Sequence, residues 1–167
     1  MRLALNVFIM IIFLLIQSTT VNFLQIGSIK PDISLVFVMC IAMFKGEKTG
    51  AFIGFLNGLI EDMLYGRVLG FNALARLLTG YAIGFGTKNI FKGPVLITMG
   101  IVLIGSLFHS IIFVLLGYIL KQTSNPWYFF MPIIVSSAFL NMIISPFIYY
   151  LVSKLESFFD YYFNIKY

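Results

Sequence analysis

The sequence predicts an all-α, polytopic membrane protein of six transmembrane helices with a short second span, and three observations lead there. Hydrophobic residues make up 60% of the 167 positions and charged residues only 10%, more apolar surface than a soluble core of this length buries. The apolar runs recur along the whole chain with breaks of a few residues, which leaves no room for an extramembrane domain of any size. The net charge of +5 comes from basic residues placed singly or in pairs at the ends of those runs, a topology signal and not a nucleic-acid footprint. The single cysteine, Cys40, excludes an intramolecular disulfide and any Cys-pair or His/Cys metal cluster, and reads as a small buried apolar residue.

The first span covers about 3–24. Met1-Arg2 followed by an apolar run would also suit a secretory signal, but no small-x-small cleavage site follows and the run continues through Val21, Phe23 and Leu24, so it reads as retained. Pro31 and Asp32 open the second span, 31–44, because proline suits the first helical turn and an early carboxylate complements the positive helix end. That span is short, about 14 residues and about 21 Å against a hydrocarbon core of roughly 30 Å. The third (49–65) and fourth (70–87) spans are joined by the link Gly66 to Gly70, short enough to make them antiparallel neighbours. Pro94 opens the fifth span, 94–120, and the turn signal Asn125-Pro126 precedes the sixth, 128–151, where Pro146 predicts a kink. Residues 1–152 thus form the transmembrane domain, and 153–167, rich in Phe and Tyr, form an aromatic interfacial tail.

Six spans put both termini on one side. Arg2, Lys45, Lys48, Lys88, Lys92, Lys154 and Lys166 fall there, against Lys30, Arg67 and Lys121 opposite, so the positive-inside bias predicts a multi-pass protein of the bacterial cytoplasmic membrane with both termini cytoplasmic.

The central hairpin carries the unusual chemistry. Gly46, Gly50, Gly54, Gly58, Asp62 and Gly66 are spaced by four in the third span, Asn72, Arg76, Gly80, Gly84 and Lys88 form a similar ridge in the fourth, and Gly70 lies at the link between them. Glycine lets helix backbones approach closely, so these positions predict tight helix packing. Glu61, Asp62 and Arg76 form an intramembrane charge cluster, and such groups are costly unless paired. Asp62 lies about 6 Å and Arg76 about 9 Å beneath the link by helical rise, which predicts an Asp62–Arg76 ion pair and leaves Glu61 to a polar cavity, to Asn57 or to a partner. His109 reads as a hydrogen-bonded core histidine, and Asn141 and Ser145 as interhelical hydrogen-bonders. No nucleophile–base–orienter set, phosphate loop or metal-ligand spacing is readable, so the chain reads as no enzyme, with no cofactor, no metal site and no nucleic-acid partner.

Pro31-Asp32 ahead of a short second span, followed by Gly50, Gly54-Phe55, Gly58-Leu59, Asp62, Gly66, Leu69-Gly70 and Ala73-Leu74, resembles the pattern of the bacterial rod shape-determining protein MreD family. The positions carried over are Pro31, Asp32, Asp62, Gly66 and Gly70; Glu61 and Arg76 lie outside the pattern. The resemblance implies a non-enzymatic subunit of the cell-wall elongation complex that binds the bitopic protein MreC and, through it, the actin-like MreB and the wall-synthesising glycosyltransferase and transpeptidase. It also implies a fold similar to the vitamin-binding subunits of energy-coupling-factor transporters, from which the alternative function follows, a small-solute binding subunit. A proton-coupled carrier is a third reading, resting on Glu61 and Asp62.

Overall fold

The computed structural model describes residues 2–20, 31–65, 68–88, 95–120 and 126–164, and their side chains outside 2–5, 18–20, 126–133 and 159–164. Among them the chain forms six helices and no strand: α1 (Arg2–Thr20), α2 (Ile33–Lys45), α3 (Glu47–Tyr65), α4 (Phe71–Gly86), α5 (Val95–Ile119) and α6 (Pro126–Asn164). α5 and the Ile134–Phe158 stretch of α6 are each long and apolar enough to cross a membrane by length and composition. Gly66 of the ridge and the family pattern, like Lys30, Arg67, Lys92, Pro94 and Lys121, lies outside the described residues.

The bundle is built around α2, not around the hairpin that the sequence makes conspicuous. α2 touches each of the other five helices, and every residue from Ile33 to Met43 is buried. An apolar helix covered on all sides has no amphipathic stripe to read, and its 13 residues need not match a bilayer because protein surrounds them. Both of its ends are charged and both are paired: Asp32 to Arg76 at one, Lys45 to Glu156 on α6 at the other. Phe37 stacks on Phe13 of α1 and Phe44 on Tyr149 of α6, with ring centroids 4.8 and 5.0 Å apart. Cys40 is free and buried within this core.

α3 and α4 share the most extensive helix–helix contact in the fold. A Cβ built on Gly50 would lie 2.7 Å from the Gly80 carbonyl oxygen; one on Gly54 would strike the Arg76 carbonyl, one on Gly58 the Asn72 carbonyl and one on Gly84 the backbone of Gly46 and Glu47. Each opposed pair of residue numbers adds to 130, so the two spacings of four are in antiparallel register backbone to backbone. Such an approach maximises dispersion contacts that lipid cannot supply. Gly46 and Gly70 differ from the packing role assigned to them: a Cβ there meets nothing within 4 Å. They have φ of 85° and 93°, where side chains are strained, and serve to end α2 and to start α4.

α6 is a single helix of 39 residues, about 58 Å at 1.5 Å per residue. It passes through Pro146 and through the boundary expected at 152 without interruption, and Val152 and Glu156 are still buried, so the expected tail begins inside a helix that packs on the bundle.

Candidate functional site

Arg76 is the largest fully buried side chain, 1% exposed, and its guanidinium is the hub of a polar cluster. Nη2 donates to Asp32 Oδ2 at 2.7 Å and abuts Glu61 Oε2; Nη1 donates to Ser34 Oγ at 2.5 Å and to Asn57 Oδ1. Its planar fork reaches acceptors on two helices at once, α2 and α3, which a lysine point charge would not do. Asp32 caps α2, with Oδ1 accepting from the Leu35 N–H at 2.9 Å and from Ser34 Oγ at 3.1 Å.

The cluster ties together all six helices. The Asp32 N–H donates to Asn141 Oδ1 on α6 at 2.8 Å, Asn141 Nδ2 donates to Ser106 Oγ on α5 at 3.1 Å, and the Ser34 N–H donates to Gln17 Oε1 on α1 at 2.8 Å. These bonds satisfy groups that an apolar interior would otherwise leave unpaired at roughly 1–3 kcal/mol each. Asn141 is thus an interhelical bridge, whereas Ser145 is not: its hydroxyl donates to the Met142 carbonyl of its own helix at 2.7 Å.

The Asp62–Arg76 pair is corrected by the structure. Asp62 is buried, but its carboxylate accepts from the backbone N–H groups of Gly70, Asn72 and Ala73 at 2.9, 3.1 and 3.1 Å and from Asn72 Nδ2 at 2.8 Å. The first turn of α4 has no partner for those N–H groups within its own helix, and a carboxylate there satisfies several at once and meets the helix dipole. The hairpin register sets Gly54, not Asp62, across from Arg76, about 12 Å along α3 from Asp62. The Arg76 side chain leans toward the N-terminus of α4, as helical side chains do, and meets Glu61 there.

Asp32, Glu61, Asn72 and Arg76 line a cavity of about 290 Å³ together with His109, Ser110, Phe113 and Val114 of α5 and Ile134 and Ser137 of α6. Phe71, the first residue of α4, makes an edge-on contact with Phe113, ring centroids 4.6 Å apart. α5 continues six residues beyond Phe113, about 9 Å, and residues of α5 and α6 wall the cavity on one side. His109 is held by Thr79, with Nδ1 and Oγ1 3.2 Å apart. One guanidinium, Arg76, faces two carboxyl groups, Asp32 and Glu61, so acidic groups outnumber basic ones in the cavity wall. Among the described residues no group of three or more His, Cys, Asp or Glu could hold a metal ion.

The model of the family described as rod shape-determining protein MreD matches residues 1–155. The chain belongs to the MreD family. The family is one of shape-determining membrane proteins, not a known family of enzymes. No curated protein and no solved structure matches the chain. Of the MreD pattern, Pro31 is buried, Asp32 caps α2 and takes the Arg76 ion pair, Asp62 caps α4, and Gly70 supplies the positive φ at which α4 begins. The cluster therefore contains two residues of the MreD pattern neighbourhood that the pattern itself omits, Glu61 and Arg76. Gln17, Ser34 and Ser106 carry no sequence signal of their own, since isolated polar residues in apolar runs are common; only the hydrogen bonds they make across helices identify them.

Proposed function

We propose that this chain is a six-span, non-enzymatic subunit of the cell-wall elongation complex, which binds an MreC-like bitopic protein and links it, with MreB, to the wall-synthesising glycosyltransferase and transpeptidase. The observation that carries the proposal is the family match over residues 1–155, which makes the chain a rod-shape determinant. The positive-inside count supports cytoplasmic termini, and this orientation sets the Asp32–Glu61–Arg76 cavity toward the outer face. A cavity opening there, walled by α5 and α6, is placed to receive the membrane-proximal part of a partner that crosses the membrane once. The glycine-packed hairpin and the six-helix polar cluster support a rigid scaffold, because bonds across every helix resist the sliding that a carrier cycle requires.

The test is depletion in a rod-shaped host followed by complementation. Cells lacking the protein round up, the wild-type gene restores rods, and the tagged protein co-purifies the bitopic partner. Rods that persist on depletion, with no partner recovered, refute the proposal.

A further inference from the structure

The hydrogen-bonding capacity of the cavity is weighted toward acceptors. The Ser110 hydroxyl donates to the Ser106 carbonyl at 2.9 Å and the Ser137 hydroxyl to the Ile134 carbonyl at 3.0 Å, so each spends its one proton on its own helix and presents only oxygen lone pairs. Asn72 commits one of its two Nδ2 protons to Asp62 and keeps Oδ1 as an acceptor beside the second proton. His109 follows the same rule through Thr79. The Thr79 hydroxyl donates to the Ala75 carbonyl at 2.8 Å, so at the 3.2 Å contact His109 Nδ1 is the donor. The neutral ring therefore carries its proton on Nδ1 and keeps Nε2 as an acceptor. Arg76, the strongest donor in the wall, spends its Nη groups on Ser34, Asn57, Asp32 and Glu61, and its Nε–H is buried without a protein partner. Glu61 Oε2 is buried against Arg76, which leaves Oε1 as the accessible carboxylate oxygen.

From this census we infer that the cavity is a receptor for a donor-only cationic group, an ammonium or a guanidinium, bound through Glu61, Asn72, His109, Ser110 and Ser137. An ammonium brings three N–H donors and a guanidinium five, with no acceptor, which matches a wall in which acceptors outnumber donors and two carboxyl groups share one guanidinium. An anion would meet two carboxyl groups with few donors to hold it, and a neutral hydroxyl would leave most acceptors unpaired. Phe113, Val114 and Ile134 supply the apolar side that the alkyl stem of such a group packs against. The cavity volume, about 290 Å³, admits one side-chain-sized group. This inference rests on the partner-binding reading and deepens it, naming the chemistry of the group received; the cation reaches the site on a basic side chain of a partner or as a free amine.

The experiment uses the full chain in detergent with imidazole-¹⁵N labelling. The protein has one histidine, so a single pair of ring signals reports on the site. Butylammonium and propylguanidinium chloride are titrated against butan-1-ol and sodium butanoate as neutral and anionic controls. The free protein shows the Nδ1–H tautomer, the two cations shift the Nε2 signal saturably, and the controls do not. Ser110→Ala and Ser137→Ala, which leave the Arg76 cluster intact, each weaken cation binding roughly tenfold, the loss of one charge-assisted hydrogen bond. Glu61→Gln weakens it at least as much; if that variant does not fold, the two serine variants decide. Equal shifts by butanol or butanoate, or unchanged cation affinity in both serine variants, overturn the inference. The source is read from an apolar peptide carrying one lysine and its norleucine analogue: tight binding lost with norleucine points to a partner's side chain, and no advantage over butylammonium points to a free amine. Partner co-purification is scored separately. A partner recovered without any cation effect sinks this inference alone, and cation binding without a recovered partner sinks the partner reading.

Discussion

Replacing Gly58 by alanine adds one methyl group to a helix, which in an open position stabilises it by roughly 0.5–1 kcal/mol through backbone entropy. At Gly58 the added Cβ would lie 2.5 Å from Ala73 Cα and against the carbonyl group of Asn72. Carbon atoms sit comfortably at about 3.5–4.0 Å, so α3 and α4 must part by about 1 Å. The atoms in the way are backbone, so no side-chain rotation relieves the clash. Overpacking of this kind costs about 1–3 kcal/mol. The upper part of that range applies here, because the displaced residues, Asn72 and Ala73, are those whose N–H groups bind Asp62. Net destabilisation of about 2 kcal/mol follows, a fall of roughly 4–8 °C in melting temperature for a chain of this size. Gly100→Ala is the matched control, since a Cβ there meets nothing within 4 Å, and it melts slightly above wild type. The assay is thermal unfolding of the three purified proteins in one detergent. If Gly58→Ala melts level with Gly100→Ala, the register deduced for the hairpin is wrong.

Three further outcomes are expected. Arg76→Met strands Asp32 and Glu61 without their cation and lowers stability by about 3–5 kcal/mol, and Arg76→Lys recovers little because one ammonium cannot span Asp32, Glu61, Ser34 and Asn57; membrane abundance of the tagged variants measures both. Asp62→Ala costs roughly 1–2 kcal/mol as the loss of a helix cap, and exchanging Asp62 with Arg76 rescues neither single variant, which a melting series checks. Lys45→Met leaves Glu156 buried and unpaired and costs about 3–5 kcal/mol, while Glu156→Gln, which strands only the more exposed Lys45, costs less; comparing the two by thermal melt separates a buried pair from a surface one.

Much of the fold was legible because helix formation in an apolar chain is local. The apolar runs, the proline and glycine breaks and the short hairpin link each act over a few residues, and the described residues form six helices. Asp32 illustrates the limit. Its place after Pro31 announced a helix start, and it caps α2, yet nothing adjacent to it announced Arg76, 44 residues away. Asp62 failed in the opposite direction: depth along the hairpin matched it to Arg76, but the exposed N–H groups of α4 are nearer and hold it. The centrality of α2 was hidden for a related reason, since a helix buried on every side has no periodicity that distinguishes it from a lipid-facing one.

By itself, then, the sequence determined the class, the helices, the glycine spacing of the hairpin and the membership signalled by Pro31, Asp32, Asp62 and Gly70, all properties of short segments. The tertiary structure alone decided which carboxylate meets Arg76, that Gly46 and Gly70 serve backbone conformation while Gly50, Gly54, Gly58, Gly80 and Gly84 serve contact, and that acceptors from four helices converge on one cavity. The physical reason is that ion pairs and hydrogen bonds are satisfied by whichever partner the packing brings within about 3 Å. Helix register and crossing set that partner, and residue identity sets only what it can accept.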